Sequence, residues 1–156
     1  MGDKRNKKKG FMYESLFVYE SMAHGLVPHS PHEDPDCHDL VVMGDSGNLN
    51  IVQVKSVKFK CWQEPKTKTG GFKYNIKATC RNGKISLKDS YVDILVIYTP
   101  NEGEWYIIPT CFIESSSISV FAHNPKSKGK YEKFKNAWHL FLGDQVFRST
   151  QKDQLF

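Results

Sequence analysis

The chain has 156 residues, of which 39% are hydrophobic and 25% charged, and its formal net charge is +5. This length and composition exclude a disordered or fibrous protein and fit one domain with a single sizeable core. The longest apolar run, residues 94–98, is far shorter than the roughly 18 residues of a membrane span, so we predict no membrane segment. The charged start lacks a following apolar stretch, which predicts no secretory signal and a cytoplasmic location.

The first predicted element is a helix over residues 11–25, because apolar side chains recur there at spacings of three and four. Further apolar residues occupy its other sides, so we expect it to be well buried and to stop at Gly25. Glu14 and Glu20 are its only formal charges, and a buried carboxylate is costly unless it is paired or holds a metal. Glu14 shares its side with the small Ser21, which leaves room for a site, whereas Glu20 is expected to reach solvent.

The rest of the chain predicts several strands and a second helix. A hairpin is expected through a turn of Gly, Asp, Ser and Asn residues, and the most apolar strand, over 92–98, is expected to be central. This order predicts an α+β fold with a mixed or antiparallel sheet, and helices before and after the strands. The predicted strands are 39–43, 49–57, 72–79, 92–98 and 105–108, the terminal helix is 131–142, and the domain spans 10–145 between a basic flexible tail, 1–9, and a C-terminal tail, 146–156.

The charges are strongly segregated along the chain. Residues 10–54 contain seven acidic residues and no Lys or Arg, whereas residues 55–88 contain ten basic residues and one acid. A metal-bearing site beside a polyanion-binding surface would have this distribution, but so would two solvated faces that compensate each other.

The four cysteines stand alone, without any C-x-x-C pair, and we predict four reduced thiols. Cys37 could form a zinc site with His29, His32 and His38, or all four could belong to an ordinary polar loop. We favour the loop because no two of these residues have the usual ligand spacing.

The second hairpin strand carries the most informative residues. Side chains alternate along a strand, so Gln53 and Lys55 share one face while Val52 and Val54 point the other way. Asp39 begins the hairpin, and its carboxylate can lie on the side of Gln53. Carboxylate and amide oxygens suit Mg²⁺ or Mn²⁺, and a nearby lysine can orient or deprotonate an attacking water. An exposed hairpin face with ordinary polar residues would show the same alternation.

Taken together, a helix Glu, an Asp opening a hairpin and a Q-x-K on its return strand resemble the PD-(D/E)XK nuclease superfamily in its Q-x-K variant. The resemblance is to the group I intron-encoded homing endonuclease family of that superfamily, which implies a restriction-endonuclease-like α/β core. Each motif alone is weak, but the ordered set is specific. The resembling stretches are Glu14 with Gly25, 38–42, 51–56, 72–76, 92–96, 105–109 and 131–138.

The resemblance implies a role for each matching residue. Asp39 is expected as the central metal ligand, Gln53 in place of the usual second acid, and Lys55 as the catalytic lysine. Glu14 is the helix acid that holds the metal directly or through water, and Val54 completes the expected ligand set. The implied cofactor is Mg²⁺, with Mn²⁺ as a substitute.

Two features leave alternatives open. Gln53 is neutral, which weakens the expected metal affinity and leaves the number of metals undecided. Asp36, in a literal Pro-Asp pair, is the fallback for Asp39, which we prefer because it opens the apolar strand.

The basic segment after the hairpin is expected to bind DNA, since Lys and Arg neutralise phosphates. The residues proposed to contact DNA are Lys58, Lys60, Lys73, Tyr74, Lys77 and Arg81.

These observations predict a divalent-metal-dependent endonuclease that hydrolyses double-stranded DNA, and the family resemblance implies a homing or mobile-element type. A chain of 156 residues is small for reading a long asymmetric site, so a homo-oligomer is expected. The alternatives are a Holliday-junction, structure-selective or repair nuclease of the same fold, and a non-catalytic nucleic-acid-binding protein with a degenerate site.

Overall fold

The protein is described by a computed structural model that covers residues 2–32, 37–57, 73–122, 124 and 126–143. The elements in chain order are α1 (Gly2–Ala23), β1 (Val27–His29), β2 (Leu40–Met43), β3 (Leu49–Ser56), β4 (Tyr74–Lys77), β5 (Thr79–Cys80), β6 (Ile85–Ser86), β7 (Ile94–Thr99), β8 (Glu104–Pro109), β9 (Ser117–Val120) and α2 (His139–Leu142).

The main sheet has five strands in the order β1-β2-β3-β7-β8. Strands β3 and β7 are parallel, and the other neighbours are antiparallel. This mixed sheet, with a long helix before it and a short one after it, confirms the predicted α+β class and its hairpin. The apolar β7 is an interior strand as its composition requires, but β3 holds the central position.

A core lies on each face of this sheet. On one face, Val52 and Val54 of β3 pack with Phe17 of α1. On the other face, Ile51 and Val57 pack toward the small sheet formed by β4 and β9. The alternation of β3 therefore sorts its residues between two layers.

The third predicted strand, 72–79, is divided in the structure. Its middle forms β4, which pairs with β9, while Thr79 belongs to β5 and pairs with β6. Phe72 lies outside the described residues. Both partner strands come later in the chain, so no local pattern marks this division.

The first helix is longer and more exposed than its sequence predicts. It begins at Gly2, so residues 2–9, expected as a flexible tail, are helical. Phe17 and Ser21 are fully buried, but four large apolar side chains are exposed. A helix on one sheet face buries only one stripe, so the expectation of a well-buried helix is wrong for its outer side. The exposed side chains are Phe11, Met12, Tyr19 and Met22.

The predicted terminal helix over 131–142 is wrong for most of its length. A 3₁₀ turn covers Glu132–Phe134, and α2 covers only His139–Leu142. Between them Lys135 forms a β-bridge with Tyr106, and Asn136 has a positive φ of 48°. The main-chain pairing with β8 therefore replaces the helical pattern.

The prediction of four reduced thiols is also wrong. Cys37 and Cys80, which are 43 positions apart in sequence, form a disulfide with their Cα atoms 5.0 Å apart. Cys111 is free, and Cys61 lies outside the described residues. The pairing arises because the segment entering β2 packs against β5, which no sequence spacing shows. Among the described residues, no helix is long and apolar enough to cross a membrane.

Candidate active site

Asp39 directly precedes the first residue of β2, and β3 extends past this end of β2. The register of the two strands starts at Leu40 opposite Val52, and the Asp39 N–H donates to the Val52 carbonyl oxygen at 2.9 Å. The Asp39 carboxylate oxygen Oδ2 accepts the N–H of Val54 at 2.7 Å. The carboxylate thus accepts the hydrogen bond that a further main-chain carbonyl of β2 would otherwise accept, and it is fixed against the edge of β3.

Gln53 carries an unpaired oxygen. Its Oε1 is buried and has no hydrogen-bond partner among the residues that the structure describes. A buried acceptor without a donor costs about 1–3 kcal/mol, so such an atom marks a place where another group is expected to bind. A hard cation fits this oxygen, because amide and carboxylate oxygens are the ligands that Mg²⁺ and Mn²⁺ take.

Lys55 points to the same face of β3 as Gln53 and is held by main-chain oxygens. Its Nζ donates to the carbonyl oxygens of Lys77 at 2.6 Å and Thr79 at 2.7 Å. Desolvation by burial lowers the pKa of the Lys55 ammonium, Asp39 opposes this effect, and the charge of Lys77 adds to it. The small strands β4 and β5 therefore fix the position of the amino group.

Val54 contributes its main chain to the same edge. Since the N–H and C=O of one strand residue point to the same side, the Val54 carbonyl faces the edge where Asp39 lies. The structure thus brings together Asp39, Gln53, Val54 and Lys55, four of the residues predicted from sequence.

Glu14 lies in a different layer, on the sheet face opposite Gln53 and Lys55. Its helix α1 packs on the Val52 and Val54 face of the sheet, and the ring of the adjacent Tyr13 lies 5.7 Å from that of Tyr98. Tyr98 pairs with Ser56, so this turn of α1 lies over the end of β3 that follows Lys55. Glu14 itself is half-buried there.

Histidine and cysteine do not build a metal centre at this place. Among the described residues, no group of three or more His, Cys, Asp or Glu side chains is arranged to hold a metal ion. A zinc site with Cys37 is excluded by its disulfide. A ligand set here would have to include the Gln53 amide and a main-chain carbonyl besides carboxylates.

Four of the residues predicted to contact DNA lie in the described part of the chain, and they differ in exposure. Lys73, Lys77 and Arg81 are exposed and belong to the β4–β5 region that holds Lys55. Tyr74 is only 2% exposed, and its hydroxyl donates to Glu102 at 2.8 Å, so it is not available to a groove of DNA. Lys58 and Lys60 lie outside the described residues, as does Asp36.

One important side chain was missed by the sequence reasoning. Asp93 is buried, and its Oδ2 accepts the N–H of Ile51 at 2.7 Å while its own N–H donates to the Ile51 carbonyl oxygen at 2.9 Å. It fixes β3 from the β7 side as Asp39 does from the β2 side. An acid directly before a fully apolar strand was the available signal, because a carboxylate in that position needs a partner.

The mixed sheet, with an acid at the entry of its hairpin and an amide and a lysine two residues apart on the return strand, has the architecture of a restriction-endonuclease-like nuclease. The profile of the PD-(D/E)XK endonuclease family matches residues 4–141. The chain belongs to this family and is an endonuclease. Enzymes of the family generally use divalent metals, and their substrate is DNA.

A solved structure supports the same architecture. The chain is similar to the bacterial homing endonuclease I-Ssp6803I, with a TM-score of 0.68 and 22% sequence identity over 96% of this chain and 97% of that chain. At this identity the similarity establishes the fold. No curated protein matches the sequence significantly.

Proposed function

We propose that the protein is a divalent-metal-dependent endonuclease that hydrolyses phosphodiester bonds in double-stranded DNA, of a homing or mobile-element type. The observation that carries the proposal is the joint placement of the Asp39 carboxylate, the unpaired Gln53 Oε1 and the Lys55 amino group around the open edge of β3. The homing type is supported by the fold shared with I-Ssp6803I.

The metal would be held by oxygens of this edge. Asp39 and Gln53 supply side-chain oxygens, Val54 supplies its carbonyl, and Glu14 completes the set from α1, directly or through water. Bound Mg²⁺, or Mn²⁺ in its place, supplies positive charge that offsets the charge developing on the scissile phosphate. Only two of these ligands are charged, which is consistent with a site that leaves several positions to water.

Lys55 is suited to position the attacking water. Its two main-chain acceptors fix Nζ, and the lowered pKa increases the fraction of neutral amine at a given pH. A neutral amine has two N–H donors, which match the carbonyls of Lys77 and Thr79, and its lone pair is then directed away from them. That lone pair can accept a proton from water, while the ammonium form would instead donate to a phosphate oxygen.

The DNA backbone is expected to lie along the β4–β5 region. Lys73, Lys77 and Arg81 offer exposed positive charge beside Lys55, and the sequence adds Lys58 and Lys60. Contacts of this kind position the duplex and give salt-dependent affinity without reading sequence.

Plasmid cleavage with mapping of the cut positions tests the proposal. Lys55→Ala and Asp39→Asn should each lower Mg²⁺-dependent cleavage at least about a hundredfold, because each removes a group acting on the attacking water or the metal. Two variants serve as controls. Lys133→Ala removes an exposed lysine, Asp45→Asn changes an exposed aspartate in the turn between β2 and β3, and both should cleave like the wild type. Gel-shift assays should show that Lys55→Ala still binds DNA.

The remaining outcomes identify the alternatives. Equal inertness of wild type and Lys55→Ala with Mg²⁺ and Mn²⁺ would establish a non-catalytic binding protein. Preferential cutting of four-way junctions would establish a structure-selective nuclease. Loss of cleavage in Asp36→Asn but not in Asp39→Asn would place the ligand at Asp36.

We further propose that the protein acts as a homo-oligomer. Support comes from the apolar face of α1, which we define as Phe11, Met12, Tyr19 and Met22, whose side chains are 52–71% exposed. Exposed large apolar side chains grouped on one side of a helix are typical of an interaction site.

A further inference from the structure

The disulfide between Cys37 and Cys80 connects the two segments that position the proposed catalytic groups. Cys37 is two residues before Asp39, and Cys80 follows Thr79, whose carbonyl oxygen accepts the Lys55 ammonium. Both cysteines are buried in the core between the main sheet and the β4–β9 sheet. One covalent bond therefore fixes the Asp39 side of the site relative to the Lys55 side.

A cavity borders this bond at Cys37. It has a volume of about 420 Å³ and is lined by Cys37, Arg81, Lys84 and Tyr91 among others. Arg81 and Lys84 are exposed, and Asp89 is the acid among the lining residues. The excess of basic over acidic side chains favours an anionic ligand over a neutral one.

We propose that Cys37–Cys80 is a redox modification site, at which a small anionic thiol reduces the disulfide through this cavity and thereby lowers DNA cleavage. The inference rests on the proposed nuclease function. In a reducing compartment the protein would be held as the less active dithiol.

The exchange follows ordinary thiol chemistry. The incoming thiolate attacks Sγ of Cys37, the S–S bond breaks, and Sγ of Cys80 leaves as a thiolate that takes a proton from solvent. A second small thiol then attacks the mixed disulfide, which releases Cys37 as a thiol and the reductant as its own disulfide. Two electrons pass from two small thiols to the protein, and a small disulfide in excess reverses both steps.

The structural consequence concerns the edge of β3. With the bond cut, the segment carrying Asp39 is no longer tied to β5. The hydrogen bond from the Val54 N–H to Asp39 Oδ2, and the bond from Lys55 Nζ to Thr79, then depend on noncovalent packing alone. Cleavage falls because the metal ligand and the lysine lose their fixed separation.

Cleavage by the two redox states is the first test. The wild type is equilibrated with oxidised or reduced glutathione, and its thiols are counted by alkylation and mass spectrometry. The oxidised protein should cleave at least about tenfold faster. Cys37→Ser and Cys80→Ser should both cleave at the rate of the reduced wild type, and glutathione should not change that rate. Cys111→Ser, which changes an exposed free cysteine, should show the same change in cleavage rate with glutathione as the wild type. Equal rates in two verified redox states would overturn the proposal.

A second measurement does not depend on cleavage. Amide hydrogen exchange at Val54 should be slow in the oxidised protein and at least about tenfold faster in the reduced one, with circular dichroism showing that both are folded. Equal exchange overturns the redox inference even if cleavage is absent. An exchange difference in a protein that never cleaves DNA supports the redox site and refutes the nuclease function instead.

The role of the cavity has its own control. The double variant Arg81→Gln/Lys84→Gln should be reduced by glutathione several-fold more slowly than the wild type, but at the same rate by uncharged 2-mercaptoethanol. Equal slowing with both thiols, or with neither, would contradict recognition of an anionic thiol.

Discussion

At the scale of single residues, the most unusual group is Lys55, because its amino group is partly buried and directed at two carbonyl oxygens. The hydrogen bonds to Lys77 and Thr79 satisfy two of its donors, and Asp39 attracts its charge. Burial nevertheless outweighs these effects, so the pKa is lowered. A lysine whose only purpose was structural would gain little from such an environment, whereas one that must give up a proton benefits directly.

The lowered pKa of Lys55 has a measurable effect on stability. Below 10.5 the unfolded chain holds this proton more tightly than the folded protein does, so wild-type stability should rise with pH between the lowered folded pKa and 10.5. Lys55→Met lacks this contribution. We therefore expect the free energy of unfolding of the wild type, minus that of Lys55→Met, to increase with pH in urea titrations between pH 7 and 10.

Lys133→Met provides the control, since it removes an exposed lysine and leaves Lys55 intact. Its stability should keep the wild-type dependence on pH. Parallel curves for wild type and Lys55→Met would show that Lys55 is as well solvated in the folded protein as in the unfolded chain.

At the scale of elements, the parts that were predictable are those whose pattern is local. The β2–β3 hairpin follows from turn residues and alternation, and that alternation also places Gln53 beside Lys55. The register puts Asp39 next to them, so much of the candidate site could be derived from about fifteen consecutive residues. By contrast, Thr79 and Asp93 join the site only through packing between distant segments, for which the sequence has no periodic signal.

The prediction of a terminal helix is wrong because of the hydrogen bonds and backbone conformation of Asn136. The Trp105 N–H donates to Asn136 Oδ1 at 3.0 Å, and the Asn136 N–H donates to the Trp105 carbonyl oxygen. The Asn136 amide also donates to Glu104. These bonds to β8, with the positive φ of Asn136, oppose the helical pattern of residues 131–142.

Substitution of Asn136 separates its two contributions. Asn136→Gly loses the side-chain hydrogen bonds but accepts the positive φ, whereas Asn136→Ala loses the bonds and is strained as well. Both variants should be less stable than the wild type, and Asn136→Ala by about 1 kcal/mol more than Asn136→Gly. Urea unfolding of the three proteins measures this difference. If Asn136→Ala were the more stable variant, the backbone would not need the left-handed conformation.

At the scale of the whole molecule, the segregated charges meet at one site. The acidic first third supplies Asp39, and the basic segment begins at Lys55 and continues through Lys77 and Arg81. Because β2 and β3 are adjacent and Lys55 contacts β4 and β5, the fold places Asp39 beside these bases. The net charge of +5 conceals this arrangement, since acids suited to a metal cancel bases suited to phosphate.

The apolar face of α1 lies away from that site. At 100° per residue its four side chains fall within an arc of about 100°, on the side of the helix opposite the buried Phe17. The helix carries exposed lysines at positions 7–9 and the acidic Glu20 near its other end. Two copies packed antiparallel would place the lysines of each helix beside Glu20 of the other, so a second copy fits this face better than DNA does.

Oligomerisation through α1 should therefore be sensitive to both parts of this surface. In sedimentation experiments at micromolar concentration, we expect the wild type to be at least dimeric and the double variant Phe11→Ser/Tyr19→Ser to be monomeric, because the buried apolar contact is lost. Glu20→Lys should raise the dissociation constant at low salt by like-charge repulsion. Leu49→Ser changes another exposed apolar residue, which belongs to the hairpin, and should leave the assembly intact. A wild type that stays monomeric at every concentration, but sediments with anionic vesicles, would assign the face to a membrane surface instead.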